Sequence, residues 1–362
     1  MKKLAIILGT RPEIIKMSPL VEACRKSRAD FFIIHTGQHY SPELDKQILE
    51  DLEMPKPEYH LGIGGKPYRK QVGMMMSKIT KILLKEKPDW VIVQGDTTSV
   101  LAGALAALRC GIRVAHHEAG LRSHDTTMLE ETNRVITDHI SDLLFAPTAD
   151  AYKNLEEEGI DKSRIHLVGN TIVDVVLGNA EKAEKKSNKL AELSLVPRGY
   201  VLASAHRAEN VDVRERLLGI MEGLRLAGEK LQSPIVFSLH PRTRAKMEEF
   251  GISPPANIQF INPVGFLDML NLEKNAKLIM TDSGGLQEEA FILRIPCVTM
   301  RDNTERPETV TCGANVVAGV NPQNIASLAE KMAGEDLSAR DLGSPFGDGS
   351  AAQKILEVLN NS

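Results

Sequence analysis

Short apolar runs alternate along the chain with longer stretches whose apolar residues recur at helical spacing. In the first half such runs predict strands at residues 4–8, 31–35, 90–94, 113–117, 143–146 and 165–168. Strands separated by helices in this way are typical of βα units and a parallel sheet. Each run ends in a polar or turn-forming cluster, so its loop is predicted to lie where open α/β sheets bind ligands.

A second series of the same kind begins near Tyr200. Its apolar segments are YVLASAH, PIVFSLH, IQFINP, KLIMTD and PCVTM, so the chain is predicted to consist of two similar halves. Residues 173–194 between them are charged and helix-favouring, and a turn follows at residues 197–199, which is typical of an interdomain connection. Beyond Val320 the pattern predicts two helices, 321–333 and 350–360, with no strand between them. The last helix could pack on either half.

Composition narrows the class of protein. A chain of 362 residues with 42% apolar and 25% charged residues predicts a globular protein of two domains. A net charge of -4 and 4% aromatic residues argue against a nucleic-acid partner. The four cysteines form no CxxC pair and are expected to be small core residues. Apolar runs too short for a membrane span or a secretory signal predict a cytoplasmic protein.

The segment KLIMTDSGGLQEEA is the best candidate for binding an anion. A predicted strand runs into Ser283, Gly284 and Gly285, and helical spacing follows. Glycines allow close backbone approach, and the first N–H groups of a helix can hold a phosphate. The alternative is that Ser283 only caps the helix. Arg11 follows the first strand, where it would either clamp phosphate or form a surface ion pair. Neither GxGxxG nor GxxxxGK[ST] occurs, which argues against an NAD fingerprint or a P-loop.

Carboxylates follow the strand ends of the first half at Asp96, Glu118, Glu130 and Glu131. Acidic groups brought together from separate strand ends suit acid–base chemistry on a sugar, where one face needs a base and the other an acid. Structural alternatives remain open. Asp96 could cap a helix, and Glu130 or Glu131 could pair with Arg134 across a helical turn.

Histidines supply further candidates. His206 lies just past a predicted strand in AHRAEN, where it could serve a diphosphate or be a satisfied structural histidine. His116 and His117 precede Glu118, but adjacent strand residues point to opposite faces and could not readily share one metal ion. We therefore expect no metal site, and no sequence typical of a covalent nucleophile is present.

Read in order, these segments resemble the motif series of the non-hydrolysing UDP-N-acetylglucosamine 2-epimerases. The resemblance extends from about residue 9 to 310 through GTRPEIIKMSPL, TGQH, VQGDTTSVLAGALAA, HHEAGLRS, EETNR, VGNTIVD, HRAENV, HPRT, DSGGLQEEA and RDNTERPETV. It implies an α/β fold of the glycosyltransferase-B type, with two Rossmann-like domains facing across a cleft. The expected domains are 1–172, joined by a C-terminal helix at about 346–362 that crosses back, and a UDP-binding domain at 173–345.

The resemblance also implies an activity. Members interconvert UDP-N-acetylglucosamine and UDP-N-acetylmannosamine by eliminating UDP to give 2-acetamidoglucal and then adding it back. They need no cofactor or metal, their partners are the nucleotide sugar and UDP, and they form homodimers.

Site residues carry over motif by motif. The resemblance assigns catalysis to Asp96, Glu118, Glu130 and His206, and substrate binding to Arg11, Lys16, Ser283, Gly284, Gly285, Glu289 and Arg306. Which carboxylate is acid and which is base stays open. This chain has Leu129 where the family usually has proline, so the register of Glu130 against Glu131 also stays open. Gln38 and Arg69 are candidates for an allosteric site that binds a second substrate molecule.

Other functions fit parts of the pattern. They are an epimerase of a modified UDP-N-acetyl sugar, a hydrolytic epimerase that releases free sugar, a UDP-sugar glycosyltransferase of the same fold, and a sensor without activity. Sugar transfer requires no proton exchange at C2, so the carboxylates Asp96, Glu118 and Glu130 favour epimerisation.

Overall fold

The structure is a computed structural model that describes residues 2–38 and 42–362. The chain divides into two compact units. Unit 1 comprises the residues up to Val175 together with Ser344–Ser362, and unit 2 comprises Val176–Gly343. Each unit is built around a parallel sheet with helices connecting its strands, so the predicted α/β fold class is confirmed.

Unit 1 contains a seven-stranded sheet in the order β3-β2-β1-β4-β5-β6-β7. Its strands are β1 Lys3–Leu8, β2 Asp30–His35, β3 Tyr59–His60, β4 Trp90–Gln94, β5 Arg113–His117, β6 Leu143–Ala146 and β7 Ile165–Leu167. Its helices are α1 Arg11–Ser27, α2 Pro42–Asp51, α3 Tyr68–Glu86, α4 Thr98–Arg109, α5 Leu129–Ile140 and α6 Ala149–Glu157. The helix α7, Thr171–Lys186, leads from unit 1 into unit 2.

Unit 2 contains a six-stranded sheet in the order β10-β9-β8-β11-β12-β13. The strands are β8 Val201–Ser204, β9 Ile235–Ser238, β10 Ile258–Ile261, β11 Leu278–Thr281, β12 Cys297–Thr299 and β13 Asn315–Val317. The helices are α8 Lys189–Glu192, α9 Ala208–Val211, α10 Arg214–Leu231, α11 Pro241–Phe250, α12 Phe266–Asn275, α13 Gly284–Ile292, α14 Pro307–Thr311 and α15 Pro322–Ala333. The last helix of the chain, α16 Ala351–Asn361, belongs to unit 1.

The strands predicted from the sequence are all present, with ends that shift by one or two residues. The apolar pattern missed β3 and β13, which are two and three residues long. Runs this short show no measurable alternation, and the tertiary pairing of each with one neighbouring strand makes them strands. The predicted stretch 173–194 is indeed helical, forming the rest of α7 and then α8.

The C-terminal segment completes unit 1. Helix α16 packs on α1, and the Asp174 carboxylate accepts hydrogen bonds from the backbone N–H groups of Ala351 and Ala352 at 3.3 and 3.1 Å. The backbone N–H of Asn170 donates to the Phe346 carbonyl at 2.8 Å. The alternative that this helix packs on the second half is therefore excluded.

The first turn of unit 1 requires glycine. A Cβ atom at Gly9 would lie 2.0 Å from Thr36 Oγ1 and 2.3 Å from Ser99 Oγ, closer than any real contact.

Two of the cysteines, Cys24 and Cys297, are buried as predicted, whereas the other two are only half-buried because they sit at helix ends. No helix within residues 2–38 and 42–362 has both the length and the apolar character needed to cross a bilayer.

Candidate active site

Two carboxylates lie at neighbouring strand ends in unit 1. Strands β4 and β5 are adjacent and pair Gln94 with His117, so the loops carrying Asp96 and Glu118 begin side by side. Glu118 adopts a left-handed backbone, with φ of 64°, which turns its side chain out of the strand direction. A Cβ atom at Gly95 would lie only 3.6 Å from Glu118 Oε2. The Glu118 carboxylate therefore lies against the loop that carries Asp96.

Three donors hold the Glu118 carboxylate. Lys16 Nζ and Gln94 Nε2 each contact one of its oxygens, and Asn170 Nδ2 donates at 3.0 Å. The side chains of Lys16 and Glu118 are 10% and 6% exposed, so this is a buried ion pair. Such a pair is stable only when hydrogen bonds satisfy it, and these donors come from α1, β4 and the loop before α7. The carboxylate is thus fixed in position from three directions.

The Asp96 carboxylate pairs with Arg134 Nη2 of α5, and 32% of the Asp96 side chain is exposed. Arg134 Nη1 also donates to Glu131 at 2.9 Å, and Asn133 Nδ2 donates to the Asp96 carbonyl at 2.9 Å. Helix α5 is therefore tied to the Asp96 loop by side chain and backbone. Asp96 keeps an accessible surface while its partner is buried.

The paired glutamates at the start of α5 have different surroundings. Glu131 is buried and accepts hydrogen bonds from Ser123 N, Ser123 Oγ and His124 N, each at 2.9 Å. Burial alone would raise the pKa of Glu131, but these donors and the Arg134 charge outweigh it and lower that pKa. Glu130 is exposed and makes no hydrogen bond or ion pair with the residues that the structure describes. Glu131 thus holds the preceding loop, whereas Glu130 is open to a ligand.

Glu13 links the first turn of unit 1 to the Asp96 loop. Its buried carboxylate accepts from the backbone N–H groups of Gly9 and Thr10 and from Thr97 Oγ1. Burial is the largest influence and raises the pKa of Glu13 to about 7. Arg11, beside it on α1, is half-buried and has no hydrogen bond or ion pair to any described residue.

We expect the raised pKa of Glu13 to make unit 1 less stable as pH rises from about 4.5 to 7. In this window the folded chain holds a proton that the unfolded chain has lost, so ionisation costs on the order of 3 kcal/mol of folding free energy. The measurement is urea unfolding at several pH values for the wild type and for Glu13→Gln. The difference between their unfolding free energies should change across the window, whereas exposed Glu22→Gln should show no such change. A constant difference for Glu13→Gln would contradict the prediction.

In unit 2, buried Asp282 anchors the loop after β8. Its carboxylate accepts hydrogen bonds from the backbone N–H groups of His206 and Arg207 at 3.0 Å and from Asn210 Nδ2 at 3.1 Å. His206 Nδ1 lies 3.5 Å from Asp282 Oδ1, and 39% of the His206 side chain is exposed. Asp282 therefore holds the AHRAEN and DSGG segments together, and the His206 ring is partly exposed.

Helix α13 begins beside two guanidinium groups. Ser283 caps it, accepting weakly from Leu286 N at 3.5 Å. A Cβ atom at Gly284 would lie 3.4 Å from Glu305 Oε2 and 3.9 Å from both Arg207 Nη2 and Arg306 Cζ, so the helix begins beside these charged groups. Because glycine has no side chain, a ligand can approach the first N–H groups of the helix closely there.

Acidic residues hold these arginines in place. Arg306 Nε donates to Glu288, and Arg207 Nη2 lies 3.3 Å from Glu305 Oε2. Buried Arg301 also pairs with Glu305, at 3.0 Å. Burial opposes ionisation of Glu305, but the nearby charges of Arg207, Arg301 and Arg306 lower the pKa of Glu305 to about 2. Arg207 and Arg301 are thus held by the Glu305 carboxylate, which stays charged, and Arg306 is held by Glu288.

Glu289 on α13 is half-buried and hydrogen-bonds the carboxyl group of Glu273 on α12. Burial and the Glu289 charge raise the pKa of Glu273 well above its usual range. Protonated Glu273 can then donate to Glu289, which leaves the Glu289 carboxylate as an oriented acceptor for hydroxyl groups.

Comparison with known proteins decides the family. The family model described as UDP-N-acetylglucosamine 2-epimerase matches residues 22–360. The chain belongs to the UDP-N-acetylglucosamine 2-epimerase family. The family member of that name from Methanocaldococcus jannaschii is 51% identical over 363 residues, 99% of this chain and 98% of the relative. The crystal structure of that protein in complex with UDP-GlcNAc and UDP has a TM-score of 0.92 and 51% identity, and covers 99% of this chain and 100% of that one.

A further relative is named for a different substrate. The UDP-2,3-diacetamido-2,3-dideoxy-D-glucuronate 2-epimerase of Pseudomonas aeruginosa is 41% identical over 360 residues, 99% of this chain and 99% of that protein. The relatives of this chain are thus named for more than one nucleotide sugar.

The two residues expected at an allosteric site of this epimerase-family chain lie in unit 1. Gln38 Oε1 accepts from Ser99 N and Ser99 Oγ at 2.9 and 2.7 Å, at the start of α4. Arg69 is exposed on α3. His39 of the same TGQH motif lies outside the described residues. The allosteric assignment stays a prediction.

Several residues that organise the epimerase-family site were not predicted from the sequence. Asp282 and Asn210 lie inside the quoted motifs, so their buried anchoring role could have been considered from the motif alone. Gln94 and Asn170 also lie inside quoted motifs, but their contact with Glu118 is set only by the fold. Lys16 was predicted to bind substrate, and the structure adds its contact with Glu118.

Proposed function

We propose that this chain interconverts UDP-N-acetylglucosamine and UDP-N-acetylmannosamine by reversible epimerisation at C2, without hydrolysis. The observation that carries the proposal is the pair of carboxylates, Asp96 and Glu118, set at adjacent strand ends with exposed Glu130 on the helix tied to the same loop. Proton exchange at a sugar carbon requires such groups, whereas sugar transfer does not. The 51% identical relative named for this reaction supports the assignment.

The C2 hydrogen of the sugar is not acidic by itself, because it is not next to a carbonyl group. When the C1–O bond to UDP breaks, its electron pair leaves with the diphosphate and positive charge develops at C1. A carboxylate then takes the C2 proton, and the electrons of the C2–H bond form the C1=C2 double bond of 2-acetamidoglucal. Delivery of a proton to the other face of C2, with return of UDP to C1, gives the epimer and consumes no water.

The carboxylates of unit 1 carry these proton transfers. Lys16 beside Glu118 balances the charge that this carboxylate gains or loses with a proton. Asp96, partly exposed and held by Arg134, and Glu130 supply the other groups. Because the reaction is reversible, a group that acts as base in one direction acts as acid in the other.

The residues of unit 2 bind the nucleotide. Ser283, Gly284 and Gly285 offer helix N–H groups to the diphosphate, and Arg306 and His206 stabilise its charge as it leaves. Glu289, oriented by Glu273, accepts hydrogen bonds from the ribose hydroxyl groups. Arg11 of unit 1 is assigned to phosphate because its guanidinium has no partner among the described residues.

The test is incubation with UDP-N-acetylglucosamine in deuterated water, followed by NMR. We expect UDP-N-acetylmannosamine carrying deuterium at C2, with no free sugar and no need for an acceptor. Free sugar with an equal amount of UDP would show hydrolytic epimerisation instead. No reaction until an acceptor is added would show sugar transfer.

A modified sugar is the second candidate, favoured by the 41% identical relative from Pseudomonas aeruginosa. The same experiment with UDP-2,3-diacetamido-2,3-dideoxy-D-glucuronate distinguishes the two. We expect a higher kcat/KM for UDP-N-acetylglucosamine, and the opposite order would reassign the substrate.

The homodimer implied by the resemblance is a separate proposal, which sedimentation of the purified chain tests.

A further inference from the structure

A buried histidine and aspartate lie behind the carboxylates of unit 1. His116 is on β5 and Asp138 is on α5, and both side chains are fully buried. His116 Nδ1 and Asp138 Oδ1 are 2.6 Å apart. Because neither side chain reaches the surface, neither can touch a substrate. Their contacts instead reach the three segments that carry the proposed catalytic carboxylates Asp96, Glu118 and Glu130.

The other ring nitrogen reaches the Asp96 loop. His116 Nε2 lies 2.8 Å from the carbonyl oxygen of Gly95, the residue before Asp96. A carbonyl oxygen only accepts hydrogen bonds, so Nε2 carries a proton and donates it. The imidazole ring therefore bridges β4 and α5 through its two nitrogen atoms.

The second oxygen of Asp138 reaches the Glu118 turn. Asp138 Oδ2 accepts from Gly120 N at 3.1 Å and from Arg122 Nη1 at 2.7 Å. Burial would raise the pKa of Asp138, but its interactions with His116 and Arg122 prevail and lower it, so the carboxylate stays ionised. The turn itself is tightly fitted, since a Cβ atom at Gly120 would lie 2.1 Å from the Ala151 carbonyl oxygen.

We propose that His116 and Asp138 act together as positioning residues, which fix the Asp96 loop, the Glu118 turn and helix α5 relative to one another. The inference rests on the proposed function, because it takes Asp96, Glu118 and Glu130 as the reacting groups. Moving a catalytic carboxylate by about 1 Å can lower the rate roughly 100-fold. A buried pair that contacts all three of these segments therefore controls catalysis without contacting the sugar.

The experiment compares His116→Gln, Asp138→Asn and the double variant. Each single change is expected to lower kcat about 100-fold. KM and the dissociation constant of UDP should stay unchanged, because neither side chain is bonded to Arg11 or to the nucleotide-binding residues of unit 2. The double variant should lose no more than the worse single variant, since residues acting as one unit are not additive. His139→Gln, at the exposed end of α5, is the matched control and should have wild-type kcat.

Losses that multiply in the double variant, or near-normal kcat in both single variants, would overturn the proposal. Hydrogen–deuterium exchange of the strands of unit 1 counts the molecules in which unit 1 is folded. A merely structural role would lower that number and leave the kcat of each folded molecule unchanged. If the variants do not fold, NMR of the wild type decides. We expect a proton on His116 Nε2 that exchanges slowly with water, and an unprotonated Nε2 would refute the bridge.

This last measurement does not depend on catalysis. A wild-type chain that shows the protected Nε2 proton but no epimerisation would reject the proposed function while leaving the bridge intact. An active wild type whose Nε2 lacks the proton would reject the positioning pair alone.

Discussion

Replacing Glu118 with glutamine is expected to lower the rate of C2 epimerisation by about 100- to 10,000-fold, the usual contribution of a general acid or base. Glutamine fills the same space but cannot take up or deliver a proton. The change also leaves the buried Lys16 ammonium without its anion, so a loss of folding stability should accompany the loss of activity. The rate is measured by deuterium incorporation at C2, and stability by urea unfolding.

A second variant separates the two effects. Lys16→Met in combination with Glu118→Gln removes the unpaired charge, so it should regain stability while the rate stays low. Exposed Glu181→Gln on α7 serves as the matched control, with wild-type rate and stability expected. Recovery of the rate in the double variant, or a near-normal rate in Glu118→Gln, would remove Glu118 from the proton-transfer steps.

The neighbouring glutamates of α5 should respond to the same substitution in opposite ways. Glu130→Gln is expected to lower kcat by about 100- to 10,000-fold with no change in stability, because Glu130 is exposed and has no partner among the described residues. Glu131→Gln is expected to cost about 1 to 3 kcal/mol of folding free energy, because it places an amide against the donors of Ser123, His124 and Arg134.

The measurement is kcat per folded molecule beside the free energy of unfolding, for each variant. Each glutamate serves as the control for the other, since the two are adjacent and chemically identical. If Glu131→Gln abolished turnover at normal stability while Glu130→Gln stayed active, the register would be reversed and Glu131 would carry the proton.

The sequence alone could not predict which of Glu130 and Glu131 is exposed to a ligand. The sequence places Glu130 and Glu131 at a helix start but does not say which side of that helix faces the protein. Only the packing of α5 buries Glu131 under the 123–124 backbone and leaves Glu130 outside. The strands and the loops at their ends were predictable because burial on both faces of a parallel sheet leaves a continuous apolar run.

The partners of the site residues were not predictable. Lys16 and Glu118 are 102 positions apart, and His116 and Asp138 are 22 apart. Contacts at such separations depend on how strands are ordered and how a turn such as that at Glu118 is bent. Motifs identified the reacting groups because each is a local segment, but the groups that hold them come from other segments.

The return of the C-terminal segment to unit 1 affects how the chain is made. Unit 2 is contained in one continuous stretch, Val176–Gly343, whereas unit 1 needs Ser344–Ser362 as well. During synthesis, the last residue of unit 2 is therefore added before the helix that covers α1. The two units are completed in the reverse of the order in which they begin to be synthesised, and the face of α1 that packs on α16 stays uncovered until Ala351–Asn361 has emerged.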